Sequence, residues 1–113
     1  MIEISHAWLN GELVWEQMND TIVRVKVHYC FVLENDIEKD NIYSMHAVYD
    51  PKLQKWEYQS VYRRFEDKTE EANPVLQIFA DEIGKEVERW FDHSIEYRIK
   101  NKLKQGSLKK NAL

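Results

Sequence analysis

The predicted fold is α+β: an antiparallel β-meander of about five strands packed against one long C-terminal helix, continuous or bent near residues 92–94. Three observations lead there. Apolar and polar residues alternate with period two over long stretches of residues 2–65. Turn-forming residues interrupt that alternation at short intervals. From residue 74 the apolar spacing changes to three and four, the period of a helix face. At 113 residues the chain is about one domain. Residues 1–105 are assigned to that domain, and 106–113 to a basic, frayed tail.

The first element follows from Leu9-Asn10-Gly11-Glu12. Asn-Gly accepts the positive φ angles of a type I′ turn, so a tight hairpin is predicted, with Trp8 opposite Leu13, His6 opposite Trp15 and Ile4 opposite Gln17. A second turn at Met18-Asn19-Asp20-Thr21 leads into a long strand. Val23, Val25, Val27, Tyr29, Phe31 and Leu33 take one side of it; Arg24, Lys26, His28 and Cys30 take the other. A polar loop over 34–41 precedes a strand with Tyr43, Met45, Ala47 and Tyr49 inward. The turn at Asp50-Pro51 precedes another with Trp56, Tyr58, Ser60 and Tyr62 inward. Residues 66–73 are polar and are expected to end the sheet. Asn73-Pro74 suits a helix start, and Leu76, Phe79, Ile83, Val87, Trp90, Ile95, Ile99 and Leu103 form one apolar stripe. Asp92-His93-Ser94 offers a place for two helices to meet, and Gly106 a place to stop.

A continuous helix over 74–104 would be about 46 Å long, against about 27 Å for an eight-residue strand. The stripe would then outrun its sheet. Either a curled sheet covers Ile95, Ile99 and Leu103, or a partner does. On the second reading Ile95, Arg98, Ile99, Lys102 and Leu103 form a partner-binding face.

Charge is unevenly distributed. Residues 1–95 carry a balance of −9 and residues 96–113 a balance of +5, for a net charge of −4. Arg98, Lys100, Lys102 and Lys104 are thus the candidate nucleic-acid contacts, if the basic end serves that purpose rather than complementing the helix dipole. The start of the chain does not read as a secretory signal, and no apolar run is long enough to span a bilayer. The lone Cys30 fits a reducing, cytoplasmic setting.

Two constellations bear on chemistry. Inward aromatics from Trp8 to Tyr62 suit a core better than a base-stacking platform, since the helix brings Phe79, Trp90 and Phe91 to meet them. Matching apolar faces across the third hairpin places either His28 or Cys30 beside His46. Two or three such groups with a carboxylate such as Glu57 could ligate zinc, but no close-spaced ligand signature exists. No metal and no cofactor are therefore expected, and no catalytic residue. The function expected is that of a small non-catalytic binding protein, a regulator, inhibitor or accessory subunit acting by protein–protein contact and self-associating as a homodimer. Nucleic-acid binding through the basic end is one alternative. Carriage of a small apolar ligand in an aromatic-lined cavity between sheet and helix is another.

Overall fold

A computed structural model describes residues 2–37 and 40–111, with side chains as far as Gln105. Among these residues the fold is α+β, with a six-stranded antiparallel sheet and three helices. The strands are β1 (Ile4–Leu9), β2 (Val14–Met18), β3 (Thr21–Leu33), β4 (Ile42–Asp50), β5 (Lys55–Arg64) and β6 (Glu70–Ala72). The helices are α1 (Pro74–Gln77), α2 (Ala80–Trp90) and α3 (Ser94–Asn111). Strands β2 to β6 form the meander, and β1 pairs with β3 beside β2. The polar 66–73 stretch thus adds a short strand instead of only ending the sheet.

The Asn10-Gly11 hairpin does not form. Strands β1 and β2 do not pair with each other. Leu9 faces Tyr29 and Val14 faces Lys26, so both run along one edge of β3 in succession. Gly11 does adopt a positive φ of 96°. That conformation serves a jog in the edge strand, and the amide of Asn10 still donates to the His28 carbonyl at 2.7 Å. Thirteen residues of β3 reach about 43 Å, long enough to pair both short strands end to end. The type I′ geometry appears at the second turn, where Asn19 and Asp20 have φ of 50° and 69°. Trp8 consequently lies opposite Cys30, on the outer face, and Leu9 opposite Tyr29, on the inner.

A bulge in β5 makes a second change of side. His46 pairs with Ser60 and Ala47 with Tyr58, leaving Gln59 as the extra residue. Trp56 and Tyr58 face inward as predicted. Beyond the bulge the order inverts: Val61 enters the core and Tyr62 faces out. The core aromatics are Tyr29, Phe31, Tyr43 and Tyr49, with Trp15, Trp56 and Tyr58 packed at its margin.

The single long helix is replaced by three shorter ones. Asn73 caps α1, its side chain accepting from the Leu76 amide at 3.0 Å. The chain breaks at Ile78-Phe79 and again after Trp90, where Asp92 and His93 take φ of 54° and 58°. Two successive left-handed residues redirect the axis. The apolar period survives the breaks in part: α2 and α3 both pack on the same core, while Phe79 and Trp90 of the predicted stripe lie exposed. In α2, Ile83 and Val87 are buried, and the ring of Tyr58 occupies the space where a Cβ on residue 84 would stand, which is why Gly84 fits this helix. In α3, Ile95 and Ile99 are buried and Leu103 packs against the same core. The helix backbone passes Gly106 without stopping and continues to Asn111. No helix among the described residues is long and apolar enough to cross a membrane.

Candidate functional site

The helices leave one face of the sheet open, and its centre is polar. Directly opposed residues of antiparallel strands share a face. The pairing of β3 with β4 therefore sets His28 beside His46 and Cys30 beside Ser44, choosing the first of the two registers the sequence allowed. The His28 and His46 rings stack 4.1 Å apart at 15°, and Tyr62 meets His46 edge-on at 5.6 Å. Strand β6, paired with the end of β5, carries Glu70 to the same face. One Glu70 oxygen accepts from the Ser44 hydroxyl at 2.7 Å, and the other lies 3.4 Å from Nε2 of His28. The Nδ1 of His28 sits 3.1 Å from the side-chain nitrogen of Asn10. Burial, and next the neighbouring His46, lower the pKa of His28, so it stays neutral to a lower pH than a free histidine.

The nearby thiol is inert by the same reasoning. Cys30 is buried, and burial raises its pKa, while Nη1 of Arg64 donates to its Sγ at 3.1 Å. Thiolate chemistry needs an accessible sulfur of lowered pKa. Glu57, the carboxylate named with the histidines from sequence, pairs with Val48 away from this cluster. Glu70 replaces it. Only the formation of β6 places Glu70 there, and no periodicity in residues 66–73 announced that strand.

A second feature lies at the α1 end. There Ile2, Leu33, Tyr43, Val75 and Leu76 line a mainly apolar groove of about 480 Å³, with Glu3 and Asp36 among its polar groups. The Tyr43 hydroxyl donates to Asp36 Oδ2 at 2.5 Å. Helix α1 buries none of its residues: Val75 is 66 % exposed and Ile78, one turn on, is 79 % exposed. Ile37, across the groove, is 99 % exposed. The groove lies between sheet and helix, as expected of a carrier's cavity, but Tyr43 is the one aromatic among the described residues that line it.

The residues put forward from the sequence as a partner face are divided by the fold. Ile95 and Ile99 are inside the chain's own core, and Leu103 is partly covered. After the break before Ser94, α3 still reaches the core through Ile95, Ile99 and Leu103. Arg98 and Lys102 are exposed, the latter with its ammonium 4.1 Å above the Trp15 ring. Lys100 and Lys104 are exposed as well, Lys100 within 3.5 Å of Glu96. Comparison of the chain with protein-family models, with curated proteins and with solved structures finds no match in any of the three.

Proposed function

We propose that the chain is a small non-catalytic binding protein that acts by contact with another protein, seated at the apolar groove beside α1. The observation that carries this reading is the exposure of α1. A four-residue helix with no buried side chain presents Val75 to solvent at the lining of an apolar groove, and Ile78, just past the helix end, is exposed beside it. Exposed apolar surface of this kind, bordered by polar groups, is characteristic of contact sites. Glu3 at the groove suits a partner segment with an apolar anchor and a basic neighbour.

The reading is tested by comparing three immobilised proteins: the wild type, Ile78→Asp, and Leu53→Asp as a control at an exposed residue 62 % accessible in the β4–β5 turn. A partner captured at fixed stoichiometry by the wild type and by Leu53→Asp, and lost from Ile78→Asp, supports the groove. Equal capture by all three overturns it. Sedimentation of the free proteins distinguishes a dimer that Ile78→Asp disperses, which would make the occupant a second copy.

A further inference from the structure

We infer that His28, His46 and Glu70 form a binding site for a divalent transition-metal ion of the zinc class, on the open face of the sheet. Each residue brings one donor atom, and the three donors lie within 4.8 Å of one another. Metal–ligand bonds of about 2.1 Å in a tetrahedron set neighbouring donors about 3.4 Å apart. The His28 Nε2 and Glu70 Oε1 pair already has that spacing, at 3.4 Å. His46 needs only a side-chain rotation toward them, since its backbone is locked opposite His28 by the β3–β4 ladder.

The surroundings favour a ligand on His28. Its Nε2 is buried and, among the described residues, makes no hydrogen bond. A buried ring nitrogen that makes no hydrogen bond costs stability, and coordination alongside the Glu70 oxygen at 3.4 Å would remove that cost. Asn10 lies at the other ring nitrogen. With its amide turned so that the oxygen accepts from Nδ1–H, it fixes the tautomer that leaves the Nε2 lone pair free, the usual role of an outer partner of a metal-bound histidine. Ser44 anchors the second oxygen of Glu70. Two imidazoles and one carboxylate suit zinc, copper or nickel and not magnesium or calcium, which prefer all-oxygen sites. Arg64 opposes a cation here, and the Glu70 carboxylate offsets it. This inference is independent of the groove beside α1: the two sites share no residue.

The experiment is titration of the whole chain with Zn²⁺ by calorimetry, with Co²⁺ as a visible-absorption probe and Mg²⁺ as the hard-ion control. One Zn²⁺ per chain is expected, with no response to Mg²⁺. His46→Asn and Glu70→Gln should each weaken Zn²⁺ by at least about tenfold. His6→Asn and His93→Asn should leave it unchanged. Glu70 sits on a short edge strand, so Glu70→Gln still decides the matter if His46→Asn unfolds. Absence of saturable one-to-one binding overturns the site, as does binding that Glu70→Gln and His46→Asn both retain undiminished.

Discussion

Glu88 shows how one side chain links burial to pH. It projects from α2 to accept a hydrogen bond from the Tyr58 hydroxyl, beneath the ring that packs on Gly84, and its side chain is only 13 % exposed. Burial raises its pKa above the ordinary 4.5, outweighing the Tyr58 hydrogen bond that lowers it. The folded chain therefore holds the proton more tightly than the unfolded chain. By linkage, the contribution of Glu88 to stability is fullest below pH 4.5 and is lost as pH rises through the raised folded value. Glu88→Gln keeps an oxygen for Tyr58 and removes the titration. Chemical-denaturation midpoints measured across this range should show the variant gaining on the wild type as pH rises toward 7. A constant difference would contradict the assignment.

At the scale of elements, the β5 bulge and α1 are fastened together by one side chain. The Gln77 oxygen accepts from the Val61 amide at 2.8 Å, and its nitrogen donates to the Gln59 carbonyl at 2.8 Å. Gln77 thus supplies, from a helix, the bonds that a strand neighbour would otherwise make where the ladder is disturbed. Asn73 adds its own amide to the Val61 carbonyl at 3.0 Å. Gln77→Leu should leave the Val61 amide without a partner and cost roughly 1–3 kcal/mol. Faster hydrogen exchange at Val61, confined to β5 and α1, is the accompanying sign. The strands were largely legible from alternation, but neither bulge nor jog was. A bulge changes the facing of everything after it, and the residue that stabilises it, Gln77, is distant in sequence from the strand it completes.

Across the whole molecule, the two longer helices after the sheet, α2 and α3, share one core. Ile99 is fully buried there, 23 residues beyond the apolar residue that opens the stripe, Leu76. Ile99→Glu should consequently unfold the monomer, with a loss of roughly 3 kcal/mol or more, because it buries a charge with no partner. Thermal melting followed by circular dichroism is the measurement. An intact fold with altered assembly would return the stripe to a partner-binding role. The cations of α3 remain on the surface above an acidic body, so any attraction for polyanions should be weak and fall steeply with added salt.

The α+β class, the long third strand, the placing of most strands, the Asn73 cap and the break at residues 92–94 are all written in local features of the sequence. Alternation, capping chemistry and turn residues act over a few positions, so a reader of the chain can find them. The edge position of β1, the side change in β5, the short β6 and the packing of α3 on the core depend on contacts between distant segments. Asn10-Gly11 illustrates the difference: its positive φ was readable, but whether it makes a hairpin or a jog depended on the length of β3. The same holds for the candidate metal site. His28 and His46 were visible as one of two registers; Glu70 joined them only when pairing at the far edge of the sheet carried a carboxylate across the open face.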